Sequence, residues 1–548
     1  MFLKRNSSRR GKKKYSSVLL VQGERVPVAR GPGRPPRDAP RTTKVVHRTL
    51  ANLSNLPDAL VALVERYCQA ERRGEAVDGL GENPEVVVGP AFGPLAALSS
   101  LAKQLGLERA LGGSREGRLA LFLILARVLH HGSRLSAVRW ANTQAVAAAL
   151  GLKRFDEDDL YAALDWLAKQ QTRIECALAP SKPDGAIFLY DVTSSYFEGQ
   201  RNELAAPGYN RDGKRYKKQL VAGLLTDAEG EPVSIQVYEG NTADPTTVAD
   251  PIRKLAEQFG AHEIVFVGDR GMLKAKGKAL LADRGFRYVT ALTDPQIRRL
   301  LREGTLQLDL FSEEVCEVAT EGTRYILRRN PATTDRHRSR RESQLERVRA
   351  KAERRDKYLA DHPRADPAVS LAQAERWLRT YKLDSFVSAR LDGRKVSFAI
   401  DAAKRATVEQ FDGCYVVVSD VPADKASAQC LWDRYGYLQQ VERDFRTMKT
   451  ALLEIRPIFL RKAERTRGHA LVAMLALKLT RELERRIQPL EITVEDALDR
   501  LDGVRLVSFA DPKLGLWRLP KRFDVPVVEV LAVLPPLPAP LLSPQSPH

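Results

Sequence analysis

Cysteine is scarce: five stand in 548 residues, Cys68, Cys176, Cys316, Cys414 and Cys430, with no CxxC pair among them. Single, scattered thiols argue against a zinc site and suit a reducing compartment. Long apolar runs are missing too. None reaches the roughly 18 residues of a membrane-spanning helix. The best stretch, HALVAMLALKLT, is broken by Lys478 and reads as a core helix. The basic start is not followed by an apolar stretch, so no secretory signal is expected. His130 and His131 have no matching ligand cluster and read as ordinary helix residues.

Positive charge is in surplus. Lys and Arg number 88 against 69 Asp and Glu, a net charge of +19. Such a surplus points to a polyanion, nucleic acid or an acidic membrane surface. Residues 1–50 hold fourteen Lys and Arg against two acids, Glu24 and Asp38. This arm is rich in Gly and Pro around ARGPGRPPRDAPR and is expected to be flexible, although SSVLLVQGERVPV hints at a strand pair. GRPP resembles the Gly-Arg-Pro core of minor-groove hooks; a basic linker is the plain alternative.

The length predicts several domains. Residues 93–178 read as helical, most simply as a bundle. From about 184 the grammar changes to AIFLYD, KKQLVAGLLTD and EPVSIQVYEG, three strands joined by short turns. A helix follows with Asp244 as N-cap and Pro245 in its first turn, then strand EIVFVGD, helix KAKGKALLADRG and strand FRYVTAL. That order predicts an α/β sheet of mixed direction. Residues 295–410 interrupt it, and their basic helix at 336–360 is either a solvated face or a phosphate-contacting arm. Strand CYVVVSD returns at 414, followed by a long helix from about 425 and, finally, a Pro-rich tail.

Two buried strands end in acids, Asp191 and Asp269. A carboxylate in an apolar setting is costly unless something positive meets it. On the helix after 425, residues Leu431, Tyr435, Leu438, Glu442, Phe445 and Lys449 step by four, three, four, three and four, which puts them on one face. Glu442 is thus expected to point inward from an apolar stripe, with an i, i+4 pair to Arg446 as the plain alternative. Three inward carboxylates suit two Mg²⁺ ions, which are hard cations that prefer oxygen ligands. Two such ions would activate an attacking oxygen and stabilise a leaving one at phosphorus.

With these residues in view, the chain resembles the DDE transposases of bacterial insertion sequences, in the insertion-sequence-four superfamily with its Tyr-x2-Arg-x3-Glu-x6-Lys helix. Tyr435, Glu442 and Lys449 match that signature, and Leu438 replaces its Arg. YDVTSSYFEG, GYNRDGKRYKKQLVAGLL, EGNTADPTTV, VGDRGM and RPIFLRKAERTRGHALVAMLALKL match further segments in order, over roughly 180–490. The resemblance implies an RNase-H-like catalytic domain with an insertion, because 173 residues separate Asp269 from Glu442 against 78 between the aspartates. It implies that Asp191, Asp269 and Glu442 are catalytic and hold two Mg²⁺ ions, with Mn²⁺ as a substitute. Tyr435, Lys449 and Arg446 would contact DNA, with Arg443 or Arg446 supplying the missing Arg contact. Double-stranded DNA, both element ends and target, would be the partner of a homodimer, in the bacterial cytoplasm at the nucleoid and not at a membrane.

The expected order is a basic arm and small DNA-binding region (1–90), a helical domain (91–180), the first part of the core (181–294), an insertion domain (295–410), the second part of the core with the Glu helix (411–490) and a C-terminal region (491–548). The alternatives to an active transposase are an inactive, transposase-derived DNA-binding protein and a standalone nuclease of the same fold.

Overall fold

The structure is a computed structural model that describes residues 1–10, 13–27, 43–54, 56, 58–73, 86–179, 185–209, 211, 213–214, 216–449, 460–509, 517–520 and 523–540. The GRPP segment lies outside these residues, as does the end of the Pro-rich tail. The chain divides into two compact units, one of 1–88 with 507–517 and 544–548, the other of 89–506 with 518–543.

In the smaller unit, strands Phe2–Arg10, Lys13–Pro27 and Thr43–Asn52 form an antiparallel sheet beside helix Asp58–Arg73. The first fifty residues are therefore not simply a flexible arm. Alternating residues let Val21 enter a small core, and the basic side chains Lys4, Arg25 and Arg48 stay exposed.

The larger unit is built on an eight-stranded sheet. Its strands are β1 (Ile187–Tyr196), β2 (Gln219–Thr226), β3 (Pro232–Glu239), β4 (Val265–Gly268), β5 (Arg287–Ala291), β6 (Cys316–Thr320), β7 (Thr323–Arg329) and β8 (Cys414–Ser419). They lie in the order β6-β7-β8-β5-β4-β1-β2-β3. β1, β4 and β5 are parallel, and the other neighbours are antiparallel. The mixed sheet expected from the sequence is present. The pair β6–β7 extends it, so the segment standing outside the sheet runs from Pro331 to the start of β8 rather than from 295.

Near-continuous apolar runs make the central strands buried on both faces. On one face Phe188, Tyr190, Phe266 and Leu292 pack with Ile252, Leu255 and Leu281 of the crossover helices. The first of these crossover elements starts at Asp244 itself, after Ala243 as N-cap, so Asp244 stands one residue inside the helix rather than capping it. Helix α1 (Glu157–Leu178) opens with a capping box between Asp156 and Asp159. Its fully buried Glu175 accepts from Lys254 Nζ at 2.6 Å and from Ser234 Oγ at 3.0 Å, which ties the helical region to the sheet.

The outlying segment holds helices α2 (Pro331–Asp361) and α3 (Pro367–Thr380), which pack on a hairpin of Val387–Asp392 and Lys395–Ile400. After β8 come α4 (Ala428–Gly436), α5 (Leu438–Lys449) and α6 (Ala463–Ile487). The single long helix expected after 425 is two helices, parted at Gly436–Tyr437. Glycine is a poor helix former, and here it is exposed, with no packing to hold a straight path. Among the described residues no helix is long and apolar enough to cross a membrane.

Candidate active site

The register of two strands places the first two acids. Tyr190 pairs with Gly268 at the end of β4, so Asp191 and Asp269 are the next residues along two adjacent parallel strands. Asp191 does not end its strand: β1 continues to Tyr196, paired with β2. The parallel neighbour β4 is what ends there. The two carboxylates, 78 residues apart in sequence, therefore leave the sheet at one level.

The third acid comes from a different direction than the periodicity suggested. The buried line of α5 is Leu438, Val441, Asp444, Phe445 and Met448, and Glu442 is exposed. Leu438 and Phe445 of the expected stripe are buried, but the covered side of α5 extends toward Val441, Asp444 and Met448, which leaves Glu442 on the open flank. Glu442 instead lines a cleft of about 700 Å³ together with Asp269, Tyr415, Trp432 and Tyr435. It makes no hydrogen bond or ion pair with any described residue, so the pair with Arg446 considered from the sequence is not formed. The inward acid of α5 is Asp444. It accepts from Gln440 Nε2 at 3.1 Å and lies 3.6 Å from Arg481, and burial pushes its carboxyl up to about 6.

Asp191 feels the charges of the other two acids. The Asp191 carboxyl is pushed up to about 7, first by burial and then by the charges of Asp269 and Glu442, against the opposing pull of Arg211 and of a hydrogen bond from the backbone of Val192. Arg211 is held nearby by its backbone N–H, which donates to Ser194 Oγ at 2.9 Å, and by an ion pair with Asp244. Tyr435 Oη donates to Asp269 Oδ1 at 3.2 Å, and Tyr415 Oη donates to Tyr435 Oη at 3.0 Å. Burial, then the neighbouring Tyr415 and Asp269, hold the Tyr435 hydroxyl well above its ordinary range, so it stays a donor.

Oxygen donors of this kind suit a hard divalent cation. Among the described residues no three His, Cys, Asp or Glu side chains converge closely enough to hold one ion. Asp191 and Asp269 sit side by side, and Glu442 has no hydrogen-bond or ion-pair partner among the described residues.

The DNA-contact candidates are dispersed. Arg446 is exposed and Lys449 is half-buried in the last turn of α5. Leu438, in place of the signature Arg, is buried at the edge of the acid cleft, and Arg443 lines a different cleft beside Asp444. The cations that line the acid cleft are others: Arg270 over the Tyr415 ring at 5.7 Å, Arg298 over Phe411 at 4.8 Å and Arg328 over Trp432 at 5.6 Å. Arg270 directly follows Asp269, which is a local signal. Arg298 and Arg328 reach the cleft through tertiary packing alone.

A sheet in the order 3-2-1-4-5 over its first five strands, with one acid in the middle of β1 and one just past the end of β4, defines an RNase-H-like α/β fold. The family model described as Transposase DDE domain matches residues 182–479. The chain belongs to that family of transposases. No curated protein sequence matches it. A solved structure of piggyBac transposase, in a synaptic complex with hairpin DNA, is similar at a TM-score of 0.37 and 8% identity, over 81% of this chain and 83% of that one.

Proposed function

We infer that the protein is the transposase of a bacterial insertion sequence, of the insertion-sequence-four type, whose Tyr-x2-Arg-x3-Glu-x6-Lys signature it keeps at Tyr435, Glu442 and Lys449, with Leu438 in place of the Arg. It binds the element's ends as double-stranded DNA, cleaves a strand there and transfers it to target DNA. The observation that carries this reading is the Tyr190–Gly268 register, which brings Asp191 and Asp269 together beside the cleft that Glu442 lines, inside a DDE domain.

Asp191, Asp269 and Glu442 are the residues that would hold divalent cations, Mg²⁺ or Mn²⁺. Such ions supply activation of the attacking oxygen and charge relief on the leaving one at phosphorus. Tyr435 orients the Asp269 carboxylate through its hydrogen bond. Arg270, Arg298 and Arg328 are the guanidiniums on the cleft wall that would meet a phosphodiester backbone, among the acids Asp269, Asp294, Glu313, Asp412 and Glu442 that also line it. Lys449 and Arg446 extend that charge along α5, and a pair of subunits acts on paired ends in the cytoplasm.

The test is an oligonucleotide assay with element-end duplexes and Mg²⁺. Transfer of a 3′ end into a second duplex supports the reading. Cleavage without joining reduces it to a nuclease, and binding without cleavage reduces it to an inactive DNA-binding protein.

A further inference from the structure

The basic helix α2 has two distinct faces. Leu345, Val348, Ala352 and Leu359 are buried on one. The other carries Arg336, Arg340, Arg347 and Arg354, all exposed. Separations of four, seven and seven residues keep these four within about 40° of one line, at about 100° per residue. The line is ~27 Å long at 1.5 Å per residue. None of the four makes a hydrogen bond or ion pair with any described residue. Arg341, nearer the sheet, is by contrast held by Asp412, and Glu342 is taken by Arg405. Of the other acids of α2, Asp335, Glu346 and Glu353 stand about a quarter turn off the line, Asp356 accepts from the Val396 backbone N–H at 3.0 Å, and Asp361 falls in line two turns past Arg354 at the helix end. The first turn of the helix opens on the acid cleft, because Pro331, Thr333 and His337 line it together with Asp269 and Glu442.

We propose that α2 is a DNA-tracking arm, in which Arg336, Arg340, Arg347 and Arg354 contact backbone phosphates of the duplex that leads out of the acid cleft. This rests on the transposase reading. Four unpaired guanidiniums in line, with small Ser343 and Ala350 between them, fit a run of phosphates by charge and spacing. A protein partner would want an apolar centre, which this line lacks. At 3.4 Å per base pair the line covers about eight base pairs beyond the cleft. The contacts are to backbone, so the arm adds affinity without reading sequence.

The experiment compares two duplexes, one ending at the cleaved site and one extended by about ten base pairs, bound by the full chain in a salt series. Wild type gains affinity and salt slope from the extension. The triple variant Arg340→Ala/Arg347→Ala/Arg354→Ala loses that gain, and its slope on the long duplex falls by roughly 0.9 per lost contact. Lysines at the same three positions restore the slope, which separates lost charge from a damaged fold. The proposal is overturned if the alanine variant keeps the wild-type gain and slope, or if it changes only self-association. Metal-dependent cleavage of the short duplex by wild type tests the underlying reading separately.

Discussion

Asp191 and Glu442 are acids of opposite character, and their variants should behave differently. Asp191 is crowded by protein and its carboxyl titrates at about 7, against roughly 3.9 in an unfolded chain. A raised folded value means that the stabilising protonated form is fully present below about pH 3.9 and is lost as pH rises through 7. The metal-free chain should therefore melt at a higher temperature at pH 5.5 than at pH 8. Asp191→Asn should flatten that dependence and abolish cleavage in Mg²⁺. A variant with the wild-type pH profile of melting would show that Asp191 does not carry the strain. Glu442 is exposed and has no ion-pair partner among the described residues, so Glu442→Gln should change metal-free stability by less than about 0.5 kcal/mol. Mn²⁺ at ~100 times its dissociation constant should stabilise wild type by roughly 2.7 kcal/mol, and Glu442→Gln should lose most of that gain along with cleavage. Equal melting shifts with Mn²⁺ in both proteins would remove Glu442 from the ligand set.

At the scale of elements, two helical glycines carry opposite expectations. At Gly468 of α6 an added Cβ would stand 2.2 Å from the Leu164 carbonyl oxygen of α1, so the two helices touch backbone to backbone. Gly468→Ala should cost about 1–3 kcal/mol, the usual cost of overpacking. At Gly436, the last residue of α4, an added Cβ meets open space within 4 Å. Gly436→Ala should raise stability by about 0.5–1 kcal/mol through reduced chain entropy. Urea midpoints of both variants check the pair, and a destabilised Gly436→Ala would show that the break before α5 requires glycine. The side of α5 on which Glu442 stands was illegible because the elements packed on α5 cover one flank of the stripe, with Val441, Asp444 and Met448, and leave the other open.

At the scale of the whole molecule, nine of the fourteen Lys and Arg in residues 1–50 lie on described strands: Lys4, Arg5, Arg9, Arg10, Lys13, Lys14, Arg25, Lys44 and Arg48. Deleting that stretch would remove a sheet as well as charge. Replacing the exposed Lys4, Arg25 and Arg48 by Gln leaves the sheet's packing in place. If this unit faces DNA, the salt slope of binding should fall by up to about 0.9 per charge, with an unchanged circular dichroism spectrum. An unchanged slope would assign DNA binding to other surfaces.

The strands IFLYD, VFVG and YVVVS were legible because apolar runs bounded by turns are a local property, and the acids that follow the first two were visible with them. The inward acid of α5 was not. Sequence spacing pointed to Glu442, and burial chose Asp444, because the elements packed on α5 cover the flank that carries Val441, Asp444 and Met448. Arg298 and Arg328 left no mark in the sequence as cleft residues. The amino-acid order by itself determined which segments pair or coil and where the carboxylates Asp191 and Asp269 fall on their strands. The tertiary structure alone decided that Tyr190 lies beside Gly268, that Glu442 opens on the cleft and that Arg336, Arg340, Arg347 and Arg354 of α2 have no hydrogen-bond or ion-pair partner among the described residues. Each of these depends on backbone pairing and packing between segments tens to hundreds of residues apart, which no local period encodes.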